Sequence, residues 1–146
     1  MTTRSVERLT LENELRTALQ QQQFVVYYQP KIDISNGTLS GCEALVRWQH
    51  PDQGIVGPDW FIPVMEEIGL ISQLGSWVLE EACKQTVQWN QAGITKFTTA
   101  VNLSIAQLKT QTLIQEVREI LQNTGMHPQN LELEITESTA MHDVNP

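Results

Sequence analysis

Two hydrophobic periods alternate along the chain, and their order carries most of the fold. "FVVYYQPKID" is rich in β-branched and aromatic residues, as a strand requires. "SNGT" follows it, and Asn-Gly between two strand-like runs is a strong hairpin signal. "GCEALVRWQH" is then the returning arm of an antiparallel pair. "QHPDQGIVGPDW" is dense in Pro and Gly and reads as a loop. "WFIPVMEEIG" reads as a short helix. "ISQLGSWVLEEACKQTVQWNQAG" has apolar residues at helical spacing and stops at Gly93. "KFTTAVNLS" is a third strand. Ser104 and Gln107 stand at capping-box spacing, so a helix starts there. Leu113, Val117, Ile120 and Leu121 share another helical face, closed by Gly125 and Pro128. "NLELEITES" is a fourth strand.

After the hairpin the order is strand, helix, strand, helix, strand. That pattern implies parallel crossovers and an α/β fold of about four strands, the first antiparallel to the rest. Ahead of it, Thr10 reads as an N-cap to a helix whose Leu11, Leu15, Ala18 and Leu19 share one face. The run Gln20 to Gln23 ends that helix. Residues 1–23 are therefore a lead-in helix or linker, and 24–146 the folded unit.

Turn geometry sets which side chains meet. A three-residue loop from Ser35 to Gly37, with Gly37 at positive φ, places Gln29 opposite Glu43. A two-residue Asn-Gly loop would pair Pro30 with Glu43 and turn Gln29 to the other face.

Composition narrows the function. With 146 residues and 40% hydrophobic content the chain is long enough for one packed domain. The net charge of −8 and the lack of a basic stripe exclude general binding to a nucleic-acid polymer. No apolar run is long enough to span a membrane, and no secretory leader opens the chain. Only Cys42 and Cys83 occur, without metal-type spacing, as expected of free thiols in the cytoplasm.

The strands carry unexpected polar residues. Side chains alternate along a strand, so Glu43, Leu45 and Arg47 share a face against Cys42, Ala44, Val46 and Trp48. Ala100, Asn102 and Ser104 oppose Val101 and Leu103. Glu132, Glu134 and Thr136 oppose Leu131, Leu133 and Ile135. A sheet with one wet face would explain this without any chemistry. Helical crossovers, however, cover both faces of parallel strands or close them into a barrel. A buried carboxylate is costly there unless it is paired or binds metal. Glu43, Asn102 and Glu134 are hard oxygen donors of the kind Mg²⁺ accepts. Each has a plainer reading. Arg47 could pair with Glu43, Gln29 could be an ordinary strand amide, and Asn102 could satisfy backbone at a strand end. Ser104 is better read as an N-cap than a ligand, Glu132 as solvated, and the three histidines as non-catalytic.

Together these residues resemble the EAL domains, the bacterial cyclic di-GMP phosphodiesterases. "YYQP", "EALVRW", "HP", "GPDWFIPVMEEIGLI", "VNLS" and "LELEITES" stand in the family's order and approximate spacing over about residues 24–141. One departure is Met65-Glu66 where the family has Ala-Glu. The resemblance implies a (β/α)₈ TIM-like barrel with an antiparallel first strand. It implies divalent metal, Mg²⁺ or Mn²⁺, on Glu43, Asn102 and Glu134. It implies cyclic di-GMP on Gln29 and Arg47, with Arg47 on a phosphate. Glu137 would support the metal ligands by holding a later loop, and an upstream sensory or GGDEF domain is a natural partner.

The family also carries an Asp-Asp pair on the following strand and then a Lys. None of Asp33, Asp52, Asp59 and Asp143 is adjacent to another, and Lys31, Lys84, Lys96 and Lys109 all precede the fourth strand. The 146 residues thus read as the N-terminal half of the barrel, with half an active site. Three readings follow. The first is a part of a phosphodiesterase that converts cyclic di-GMP to linear pGpG only in the full domain, and is inactive by itself. The second is a non-catalytic module that binds the nucleotide. The third is a half-barrel that self-associates through its open edge.

Overall fold

The computed structural model describes the backbone of residues 3–136 and the side chains of residues 6–135. Its elements in chain order are α1 (Thr3–Gln20), β1 (Phe24–Asp33), β2 (Thr38–His50), β3 (Gly54–Val56), α2 (Pro58–Glu67) and α3 (Ile71–Gln91). Then come β4 (Thr98–Ser104), α4 (Ile105–Leu108), α5 (Leu113–Thr124), a 3₁₀ turn at Pro128–Asn130, and β5 (Leu131–Thr136). The sheet runs β1-β2-β4-β5, with β3 paired to β2. β1 and β3 lie antiparallel to β2, while β2, β4 and β5 are parallel. The fold is the α/β class expected.

The hairpin reaches the expected register by a different route. Asp33 pairs with Thr38, so the loop has four residues, 34–37. Its N-terminal side is held by Asp33, whose carboxylate accepts from the Ser35 amide at 2.9 Å and the Ser35 hydroxyl at 2.6 Å. Those bonds also hold the Asp33 carboxyl below its usual range. Gly37 takes φ +70°, where a side chain is disfavoured, and its amide donates to the Asp33 carbonyl at 2.7 Å. The register then shifts between Lys31 and Ile32, leaving Ser40 as a bulge residue. Bulge and longer loop offset each other, and Gln29 stands opposite Glu43.

Two further expectations are corrected, and a third is borne out. The Pro- and Gly-rich stretch after β2 is not all loop: Gly54–Val56 forms β3 against Trp48, Gln49 and His50. His50 organises that turn, its Nδ1 accepting from the amides of Asp52 (3.0 Å) and Gln53 (3.2 Å). Thr10 is no N-cap. α1 starts a turn and more earlier, and the Thr10 hydroxyl donates to the Val6 carbonyl, as a mid-helix threonine does. Ser104 does cap a helix through a complete capping box with Gln107, but α4 lasts four residues before the chain breaks and restarts as α5. Gly93 and Gly125 follow α3 and α5 at positive φ, as read from the sequence.

The helices cover one face of the sheet. Phe24, Ala44, Trp48 and Val101 point into this layer and are buried against Phe61, Met65, Leu74 and Leu79 of α2 and α3. α1 contributes Leu15 and Ala18, both fully buried. Met65, where the family has a smaller residue, fills this core at 0% exposure. The buried hydroxyls of Thr86 and Thr99 satisfy each other at 2.6 Å, and Thr86 also donates to the Ala82 carbonyl. Among the described residues no helix is long and apolar enough to cross a membrane.

Candidate functional site

The uncovered face of the sheet gathers the polar residues. Register fixes the rows. Gln29 of β1 pairs with Glu43 of β2, Glu43 with Ala100 of β4, and Ala100 with Glu132 of β5. Along β4, two residues on, Asn102 pairs with Glu134. Arg47 follows Glu43 by four residues on β2 and so lies on the same side. Gln29, Glu43, Arg47, Asn102 and Glu134 therefore share one face, opposite the helices. Glu43 and Glu134 do not point to opposite sides, which would have excluded a common ligand.

That face is concave. β1 and β5 are separated by two intervening strands, about 14 Å at the usual spacing. Yet Lys31 Nζ of β1 lies 3.7 Å from Glu134 Oε1 of β5. Side chains standing upright on a flat sheet would not meet over that span. The sheet curls toward the polar face, as barrel strands do.

At the C-terminal end of β2 and β4 a cavity of about 200 Å³ opens beside these residues. Arg47, Asp59, Asn102, Ser104 and Gln107 supply its polar lining, and Pro58, Ile62, Ile71 and Val78 part of its apolar wall. The Arg47 guanidinium donates from Nη1 to the Val46 carbonyl at 2.8 Å. Among the described residues no ion pair joins Arg47 to Glu43, so the charges on this strand do not neutralise each other. α3 passes close because Gly75 has no side chain: a Cβ there would overlap the Gln107 amide. Gln29 is exposed, and Glu43, Arg47, Asn102 and Glu134 are half-buried. Glu137 lies outside the described residues.

Lys31, Asp59, Gly75 and Gln107 were not singled out as site residues by sequence. Lys31 had a signal, because it stands two residues beyond Gln29 and alternation puts it on the same face. The other three reach the cavity from helices, whose packing strand alternation does not reveal. His50 is accounted for by the fold: its Nε2 lies 2.6 Å from Glu14 of α1, and it takes no place on the concave face.

The profile of the EAL domain family matches residues 12–145. The chain belongs to the EAL domain family. It is 44% identical over 145 residues to the bifunctional diguanylate cyclase/cyclic di-GMP phosphodiesterase MucR of Pseudomonas aeruginosa, covering 99% of this chain and 21% of that protein. It is 40% identical over 142 residues to the cyclic di-GMP phosphodiesterase NbdA of the same organism, covering 97% of this chain and 18% of that one. Among solved structures, the c-di-GMP complex of PaMucR phosphodiesterase superposes with a TM-score of 0.85 at 45% identity, over 93% of this chain and 55% of that one. The chain thus spans about a fifth of the length of these curated relatives and about half of that structure. Neighbours of this kind are EAL TIM-barrel domains, and the sheet is a corresponding part of such a barrel.

The donor set of this EAL chain suits a hard divalent cation. Two carboxylates and an amide carbonyl lie on one concave face, and the ammonium of Lys31 lies 3.7 Å from one of those carboxylates, Glu134. Among the described residues no three His, Cys, Asp or Glu side chains come together, so the Asn102 amide is needed to make up the set.

Proposed function

We propose that this chain is the N-terminal, substrate- and metal-holding half of a cyclic di-GMP phosphodiesterase site. The observation that carries the reading is the shared concave face. It sets Gln29 opposite Glu43 and Asn102 opposite Glu134, and it opens beside Arg47 into the cavity. Arg47 offers a planar fork of donors, which matches a phosphate better than a lysine would. Gln29, exposed on the same face, offers an amide to the sugar-phosphate backbone or base. The apolar wall of the cavity suits the flat surface of a guanine, and Asp59 offers an acceptor at its rim.

Glu43, Asn102 and Glu134 would hold Mg²⁺ or Mn²⁺. Bound there, such an ion would neutralise phosphodiester charge and supply an activated water. The roles of this chain's own residues are to orient the phosphate through Arg47, to fix the nucleotide through Gln29, and to keep one flank of the site dry through α2 and α3. Glu137 belongs to the same proposal as a residue that steadies a loop. The length of the relatives, and a cyclase named in one of them, support an upstream sensory or GGDEF partner in the cytoplasm, with α1 as the lead-in from it.

Three protein oxygens leave most of a divalent ion's coordination shell to water or other groups, so in this reading the 146-residue chain binds without turning over. Incubation with cyclic di-GMP and Mg²⁺ or Mn²⁺, followed by chromatography for pGpG, tests this. Binding without turnover is the expected result. Robust metal-dependent turnover by the purified 146-residue chain would overturn it.

A further inference from the structure

We infer that Lys31 competes with a divalent cation for the Glu134 carboxylate. The inference rests on the metal reading above. Lys31 lies on β1, at the opposite edge of the sheet from Glu134, and nothing in its local sequence requires it to lean inward. Between the two residues the concave face carries small side chains. The cross-strand partner of Lys31 is Gly41, which presents no side chain at all. Gly41 is confined to that identity by β4, because a Cβ would run into the Thr98 carbonyl. Farther along the diagonal stands Ala100, which presents only a methyl group and is 1% exposed. Over this floor the Lys31 side chain reaches Glu134 at 3.7 Å.

The pair is built to exchange. At 3.7 Å it is an ion pair rather than a tight hydrogen bond, and both side chains remain partly in water (43% and 36% exposed). A lysine ammonium is a point charge on a flexible stem, so it can leave without rebuilding the sheet. A divalent ion that takes the same oxygen places a like charge within a few ångströms of the ammonium. One of the two must withdraw. Lys31 thus sets a threshold for ion binding, and its release accompanies loading. The other charged groups on this face, Glu43, Glu132 and Arg47, are present in either state.

The test is a Mn²⁺ titration followed by the electron paramagnetic resonance of the free ion, with no nucleotide and no turnover. Lys31→Met should tighten Mn²⁺ binding about two- to five-fold, the range an exposed ion pair is worth. Lys31→Arg, which keeps the charge, should stay near the parent. Lys84→Met removes a lysine paired instead with Glu80 and Glu81 on α3 and should change nothing. In a Glu134→Gln background the effect of Lys31→Met should vanish, since the two residues act on one oxygen. Melting curves confirm that each variant is folded. If Lys31→Met binds Mn²⁺ no more tightly than the parent while Glu134→Gln weakens it, the competition is refuted and the metal reading stands. If the parent and Glu134→Gln bind Mn²⁺ alike, both fall together.

Discussion

The two faces of one sheet do opposite work. On the helix-covered face, Phe24, Ala44, Trp48 and Val101 are between 0% and 5% exposed and packed around Phe61 and Met65. On the concave face, Gln29, Glu43, Arg47, Asn102 and Glu134 alternate with them along the same strands, and all keep some contact with solvent. One side is a dry apolar layer in which the rings of Phe24, Trp48 and Phe61 meet at 5.5–6.0 Å. The other is a set of charges that are mostly unpaired with one another. Stability therefore resides on the first face, and the proposed ligand site on the second. The two can be perturbed separately because strand alternation interleaves them without mixing them.

The largest effect should come from the dry face. Trp48→Ala removes a fully buried ring that contacts Phe24, Trp60 and Phe61, and should cost about 3–5 kcal/mol in chemical denaturation. That is a large part of a typical domain's 5–15 kcal/mol. Glu43→Gln on the concave face should leave the unfolding midpoint nearly unchanged. Equal losses from both variants would show that the polar face also carries the fold.

The next effect concerns the edge at β5. Leu133 and Ile135 face outward, 38% and 56% exposed, and among the described residues β5 pairs only with β4. Exposed edges and apolar strand faces seek partners. Sedimentation velocity of the 146-residue chain at micromolar concentration should find self-association. Leu133→Lys with Ile135→Lys should restore a monomer. A strictly monomeric parent with sharp thermal unfolding would show that the edge is already protected.

On the concave face, Glu43→Gln or Glu134→Gln should weaken Mn²⁺ binding by at least about tenfold, while Glu132→Gln, an exposed carboxylate on the edge strand outside the proposed donor set, should matter little.

The smallest effect returns to the core. Burial, helped by Glu80, pushes the Cys83 thiol from 9.0 up to about 12, and burial also raises Cys42. A raised thiol pKa means that the folded chain keeps a proton the unfolded chain loses. Its contribution to stability is complete below pH 9 and fades as pH rises toward 12. Both cysteines should react slowly with a disulfide reagent at pH 8, and quickly once denaturant is added. Fast reaction of the native chain would contradict their burial.

Much of this was legible in the sequence because alternation in a strand is a rigid rule. It placed Glu43, Asn102 and Glu134 on one face once the register was known. The register itself depended on the hairpin. Asn-Gly marked the turn but not the loop length, and the four-residue loop with a bulge at Ser40 was hidden in backbone geometry that Ser and Gly permit without dictating. β3 was missed for a related reason. Its three residues lie between Pro51 and Pro58, and its pairing comes from β2 and the His50 turn rather than its own propensity. Asp59 and Gln107 reach the cavity from helices, and only packing places them there. Lys31 is visible by alternation, but its reach to Glu134 depends on the curl of the sheet and on the bare floor at Gly41 and Ala100.

The central claim is that the concave face binds the nucleotide through Arg47 beside the cavity. Titration calorimetry of cyclic di-GMP into the parent chain and into Arg47→Ala, with Mg²⁺ present, tests it most directly. An arginine–phosphate contact is worth about 1.5–3 kcal/mol, so binding should weaken about tenfold to a hundredfold while the melting curve stays where it was. Equal affinity in the two chains would mean that the phosphate is held elsewhere, and the site drawn on this face would be wrong.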